Sequence, residues 1–325
     1  MGLDRSRNAI RRMRVGELKN IPGGLFEACQ GKPLIVEGLS QSLPPLSLDD
    51  AAHLFRGETI WAVNRETQLH EERTAEEFFS GILAGNTTYN AVDHYLVGTR
   101  MEGRIPYPEL VNDDWLADSG AEAFAGRAQS LVASSVGSYT PLHVDSYGLS
   151  GWMYLHEGRK EWVAYPPHCR AALYDALFKE WYDERRAHAG DPCGEYAKRF
   201  PLAGHVAGER LTGTLHAGEL FFFPGGWIHG VETPDTSFGI GGSLLNAYDV
   251  VDAMRTWLYE RSMGEAGSGD LRALLLGRLT GITAAEGFRN GGQNLPRMER
   301  DQLAIKTALQ LCEQWESRMA SLDTL

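Results

Sequence analysis

His143 and Asp145 stand two positions apart in the stretch PLHVDSYG, among apolar neighbours. Along a β-strand, residues i and i+2 project to the same face, so an imidazole and a carboxylate at this spacing can enter one cavity. Alone, the pair more often marks a strand end, where short polar side chains cap or hydrogen-bond, a buried polar pair or a surface turn. A second histidine is the test. His229, in PGGWIHGVET, follows a Gly-Gly turn on another stretch of β character. Two histidines and one carboxylate occupy one face of an octahedron and leave three positions open to reagents, a set that suits iron(II). A structural zinc site wants four closed ligands, often cysteines, and none of the four cysteines adjoins the motif.

These residues need strands to hold them. From about residue 128 the chain carries short β-type runs, QSLVASSV, GWMYLHEG, KEWVAYPP, GTLHAGELFFFPGG, WIHGVET and SFGIGGSLL, bounded by Gly, Pro and Asp. That is the pattern of an antiparallel barrel or sandwich. An insertion over about 168–200 interrupts it, where AALYDALFKEWYDERRA reads as a helix followed by a Gly/Pro loop. Its Tyr174, Trp181 and Tyr182 either reach over the site or anchor the insertion. His168, Cys169, His188 and Cys193 within it match no standard zinc spacing.

Residues 1–120 form an N-terminal region of mixed helix and strand signals packing on this core of residues 121–249. Ser47 and Thr74 are helix N-caps, and Gly85 stops a helix whose apolar face is Phe78, Phe79, Ile82 and Leu83. Residues 250–325 return to a helical period. The last helix carries Ile305, Ala308, Leu309, Cys312, Trp315 and Met319 on one stripe, which either packs on the barrel or pairs two chains as a homodimer.

Composition sets the class. With 325 residues, 43% hydrophobic and 23% charged, the chain reads as an ordinary globular protein. A formal charge of −12 argues against nucleic acid and anionic membranes as partners and mildly favours a cationic substrate. Four scattered cysteines without a CxxC and the lack of a cleavable apolar signal fit a reduced, cytoplasmic setting. No apolar run of 18 residues suggests a membrane span.

TPLHVD, then GRKEWVAYPP, then HAGELFFFPGGWIHGVE resembles the JmjC (jumonji) family of iron(II)- and 2-oxoglutarate-dependent oxygenases within the cupin superfamily. YAKRFPLAGHVAGERLTGTLHAGEL, with the helical tail, is similar to the subgroup around the asparaginyl hydroxylase that inhibits hypoxia-inducible factor. The resemblance implies a mainly β fold with flanking helices (α+β), a double-stranded β-helix or jelly roll with helical N-terminal elements and a helical C-terminal tail. It implies His143, Asp145 and His229 as Fe(II) ligands, with 2-oxoglutarate and O2 as co-substrates. It places Lys160 and Thr140 on the distal carboxylate of 2-oxoglutarate. A dianion entering an apolar barrel needs such a buried cation, because an unpaired carboxylate there costs several kcal/mol. Two departures accompany the match: Ser150 and Gly151 stand where relatives commonly carry an asparagine, and Ser243 stands at a second such position, as a co-substrate contact.

The implied reaction is hydroxylation of a C–H bond, with 2-oxoglutarate decarboxylated to succinate. The substrate expected first is an amino-acid-like small molecule or carrier-bound intermediate. A protein side chain is the alternative, then an N-methyl-lysine, and outside enzymes a cupin that binds metal without turnover. Trp152, Tyr154 and Trp162 are candidates to line the cavity, although aromatic residues on barrel strands more often form plain core.

Overall fold

The computed structural model describes residues 8–67, 69–116, 129–174, 198–262, 270–286 and 295–322. In chain order these form β1 (Arg11–Arg14), α1 (Val15–Leu18), α2 (Gly24–Cys29), β2 (Leu34–Glu37), α3 (Leu48–Leu54), β3 (Thr59–Asn64), β4 (His70–Thr74), α4 (Ala75–Leu83) and β5 (Tyr89–Tyr95). The central strands are β6 (Ser130–Ser134), β7 (Tyr139–His143), β8 (Ser150–Tyr165), β9 (Leu211–His216), β10 (Leu220–Phe223) and β11 (Ile228–Leu244). The helices α5 (Val250–Ser262), α6 (Leu271–Glu286) and α7 (Leu295–Leu322) follow.

Two long strands organise the jelly roll. The first part of β8 pairs with β10 and with the end of β11, which in turn pairs with β6. The second part of β8 pairs with β9 and with the start of β11, which pairs with β7. β8 and β11 therefore serve two four-stranded sheets, turning from one to the other near Gly158 and residues 232–238, where their pairing shifts register. An added residue in a strand reverses the facing of everything after it. Met153 and Leu155 before the turn and Trp162 and Ala164 after it consequently share one interior cluster. Gly158 permits the turn: its φ is +84° and a Cβ there would lie 2.2 Å from the Thr236 carbonyl oxygen.

The sequence reading breaks β8 and β11 into separate short strands, because bulges and glycines interrupt their alternation. Each is continuous in the structure, with 16 residues in β8 and 17 in β11.

The N-terminal region adds strands to the first sheet. β1 and β2 extend it beyond β10, while β5, β3 and β4 extend it beyond β6. The outer face of this sheet, including Trp152, Tyr154, Phe222 and Ile240, packs against Phe55 and the α4 residues Phe78, Phe79 and Ile82. Ser47 accepts from Asp50 N–H, and Thr74 accepts from Glu77 N–H, so both caps form. Gly85 follows the end of α4 with φ +78°.

The C-terminal stripe is used within the chain. Ile305, Ala308, Leu309 and Cys312 are buried in one cluster with Met254 and Trp257 of α5, while Met319 stays 36% exposed. Of the insertion expected over 168–200, residues 175–197 lie outside the described residues, among them Trp181, Tyr182, His188 and Cys193. Its described flanks close on each other: the Tyr174 hydroxyl accepts from Leu202 N–H at 3.0 Å, and its ring meets Phe200 edge-on. Tyr174 thus anchors the insertion's base.

Candidate metal and co-substrate site

β7 and β11 run antiparallel with His143 directly opposite His229. Cross-strand partners in this pairing stand side by side, and the two imidazole centroids lie 4.2 Å apart. Asp145 follows β7 in an extended conformation, so its carboxylate returns to the same side. Its Oδ1 lies 3.4 Å from His143 Nε2 and 3.5 Å from His229 Nε2. Cis donors held about 2.1 Å from an octahedral ion stand about 3.0 Å apart, so small side-chain movements bring this trio onto a metal. Among the described residues it is the one group of three or more His, Cys, Asp or Glu side chains placed to hold an ion.

The same local device orients both imidazoles. His143 Nδ1 lies 2.9 Å from the Pro141 carbonyl oxygen, and His229 Nδ1 lies 3.0 Å from that of Trp227. A carbonyl only accepts, so each Nδ1 carries a proton and Nε2, on the Asp145 side, is the nitrogen left to coordinate a metal. Burial and the neighbouring His143 push His229 down to about 4, which keeps it a neutral ligand. Burial opposes charge on His143 too, but the hydrogen bond and charge of Asp145 outweigh it and raise its pKa.

The loop after Asp145 is braced from the helical tail. Glu260 of α5 accepts from Tyr147 N–H at 3.1 Å, and Tyr147 adopts a left-handed φ of 62° with its ring buried beside Trp257. A non-glycine residue in that region needs such support.

A cavity of about 710 Å³ opens beside the triad. All six residues singled out in the sequence, Thr140, His143, Asp145, Lys160, His229 and Ser243, line it. Lys160 is 2% exposed, and its ammonium donates to Thr233 Oγ1 at 3.0 Å and Ser134 Oγ at 3.3 Å. No carboxylate among the described residues pairs with it, and burial alone lowers its pKa to about 7. A buried cation held only by hydroxyls fits an anion supplied from outside.

The family described as Cupin-like domain matches residues 47–247 of this chain. The chain belongs to the cupin-like JmjC family. It is 26% identical over 254 residues to JmjC domain-containing histone demethylation protein 1 of Caenorhabditis elegans, covering 70% of this chain and 22% of that protein. It is 27% identical over 155 residues to the human 2-oxoglutarate and iron-dependent oxygenase JMJD4, covering 48% and 36% of the two. HSPB1-associated protein 1 of Homo sapiens is 31% identical over 128 residues, 39% of this chain and 25% of that protein. The chain thus aligns with between about a fifth and somewhat over a third of the length of these relatives.

Within this JmjC domain, the departures noted in the sequence have structural reasons. At Gly151 a Cβ would lie 2.1 Å from the Phe223 ring, so Phe223 fills the space a longer side chain would need. Ser150 is fully buried, and Ser243 sits on the cavity wall opposite Gly151 in the β8–β11 register. One indole supplies polar hydrogen there instead. Trp162 lines the cavity at 5% exposure, and its Nε1–H is buried without an acceptor among the described residues, whereas Trp152 borders the cavity from the outer face of the sheet. Orphaned buried donors are rare in folded proteins, and two positions from Lys160 this one fits a ligand rich in carboxylate oxygens. Tyr154 packs instead into the N-terminal core.

Sequence reasoning missed the wall built by the N-terminal strands. Trp61 and Val63 from β3, His70 from β4 and Val92, Asp93 and Tyr95 from β5 all line the same cavity. Nothing local marks them, because β5 reaches the site only through its long-range pairing with β6.

Proposed function

We propose that this protein is an iron(II)- and 2-oxoglutarate-dependent oxygenase that hydroxylates a C–H bond of an amino-acid-like small molecule or carrier-bound intermediate. The observation carrying this reading is the meeting, in one cavity, of an open-faced His143/Asp145/His229 triad and the buried Lys160 ammonium, which no carboxylate among the described residues pairs with. The balanced reaction is R–H + 2-oxoglutarate + O2 giving R–OH + succinate + CO2. Iron(II) bound by the triad supplies the oxygen activation that organic side chains lack.

The protein's own residues do the rest. His143, Asp145 and His229 would hold the ion and, being only three ligands, would leave positions open for reagents. Lys160, with Thr140 at the same wall, holds the distal carboxylate, and the Trp162 indole N–H donates to the co-substrate. Phe223 and Trp162 pack against His229, with Phe221 behind Trp162, and exclude water from that side. The cavity volume falls in the range of small-molecule sites, which supports a compact substrate.

Oxidation of a protein-borne N-methyl group is the second reading, favoured by the relatives that are histone demethylation proteins. Succinate release from the purified protein with Fe(II), 2-oxoglutarate and O2 tests the main proposal, using amino acids and amino-acid-like amines as substrates. The expected result is succinate matched by a product 16 Da heavier and absent in His143→Ala. Matched succinate with a 14 Da loss from methylated peptides supports the second reading, and succinate no greater than in His143→Ala overturns both.

A further inference from the structure

Exposure along the cavity runs in one direction. Lys160 and the His229 side chain are almost fully buried, those of Asp145 and His143 are 27% and 40% exposed, and that of Asp93 is 50% exposed. The co-substrate cation is therefore deepest, the triad is midway, and the β3–β4–β5 wall forms the mouth. Charge follows the same axis. Iron(II), Asp145, Lys160 and the 2-oxoglutarate dianion cancel one another, and Asp93 is the carboxylate left at the mouth.

Asp93 is aimed there by a defect in its strand. The β5–β6 pairing shifts register between Ala91 and His94, so the residues between them leave the ladder. Such bulges re-aim side chains and recur beside active sites. His70 and Trp61 stand with Asp93 in the lining of this opening. Trp61 is 43% exposed, unusual for an indole, and His70 stacks on it with centroids 5.7 Å apart and ring planes within 13°. His70 Nε2 also lies 3.5 Å from Asp93 Oδ2. Indole, flat nitrogenous ring and carboxylate are thus already arranged as an aromatic face and an anion receiving a planar N–H group.

We infer that Asp93 and Trp61 form the site that selects the prime substrate, and that it takes a cationic nitrogen, an ammonium or guanidinium, at the end of an alkyl arm. The inference rests on the oxygenase reading and deepens it. With the nitrogen held at the mouth, the alkyl arm runs inward to the triad. The bond oxidised is then a C–H bond of that arm rather than one of an N-methyl group. His70 shares the Asp93 carboxylate in the absence of substrate and yields it to the incoming cation.

The test is calorimetric binding to the full-length protein loaded anaerobically with Fe(II) and 2-oxoglutarate. The probes are L-lysine, L-arginine and the acetyl-Gly-Lys-Gly and acetyl-Gly-Arg-Gly amides, against their norleucine and citrulline counterparts. At least one cationic probe should bind at least tenfold more tightly than its neutral counterpart. Asp93→Asn should remove that preference and Trp61→Ala weaken the cation about threefold or more, while 2-oxoglutarate affinity stays unchanged in both. Equal binding of neutral and cationic probes, no binding by any probe, or a preference that survives Asp93→Asn overturns the inference. Failure of 2-oxoglutarate itself to bind overturns the underlying oxygenase reading instead, so the two failures are distinct.

Discussion

His143 and His229 face each other across β7 and β11, and each turns Nδ1 to the carbonyl two residues before it, at Pro141 and Trp227. One backbone register thus leaves Nε2 of both imidazoles to coordinate a metal. Replacing either imidazole removes a ligand from an open site that has only three. His143→Ala and His229→Ala should each weaken divalent-metal binding at least about 100-fold, beyond the 10- to 100-fold typical of residues that merely support a ligand. Metal titration by calorimetry checks this, with circular dichroism confirming that the sheet persists.

In the proposed function, the counter-charge of Lys160 arrives with the co-substrate. In Lys160→Met the desolvated ammonium disappears while the volume is kept, so the ligand-free protein should melt at the wild-type temperature or above it. Its 2-oxoglutarate affinity should fall by about 30-fold or more, the usual effect of truncating one partner of a buried charge pair. A variant that loses stability and keeps its affinity would place the anion elsewhere.

The same group sets a pH dependence. Burial lowers the ligand-free Lys160 to about 7, against an unfolded value of 10.5. Between these values the unfolded chain binds a proton that the folded chain lacks, so this group's contribution to stability rises with pH across the window and is lost as pH falls through 7. Co-substrate binding runs the other way, because the dianion needs the protonated amine. Apparent 2-oxoglutarate affinity, measured by titration at constant ionic strength, should decline toward about tenfold per pH unit above 7. Lys160→Arg, which stays charged, should flatten that slope.

Trp162 carries a buried N–H with no acceptor among the described residues, two positions after Lys160 on the same strand. Trp162→Phe keeps a ring against Phe221 and His229 while removing the donor. The ligand-free protein should lose little stability, and 2-oxoglutarate affinity should drop about tenfold, as for a hydrogen bond to a charged group. Equal affinity in the variant would leave the indole a packing residue.

The triad was legible in the sequence because His143 and Asp145 share a strand spacing and His229 follows in a second β-type run, whereas Lys160 and Thr140 were marked only by the resemblance to the JmjC family. The strand count was less legible: β8 and β11 read as fragments because Gly158 and the bulges near residues 232–238 interrupt a strict alternation. The stripe on α7 was visible, but its partner on α5 was not, since periodicity shows an apolar face and not what covers it. Asp93 and Trp61 were hidden for a stronger reason. Their role depends on β5 pairing with β6 through a shifted register, a non-local fact that no nearby residue signals.

Metal and co-substrate are held to meet in one cavity, and the most direct test is anaerobic addition of 2-oxoglutarate to the Fe(II)-loaded protein. The readout is the visible charge-transfer absorption of an iron(II) chelated by a keto acid. The expected band requires protein, iron(II) and 2-oxoglutarate together, and is lost in His143→Ala and His229→Ala. Binding of both iron(II) and 2-oxoglutarate with no such band, or a band unchanged in both variants, would contradict this.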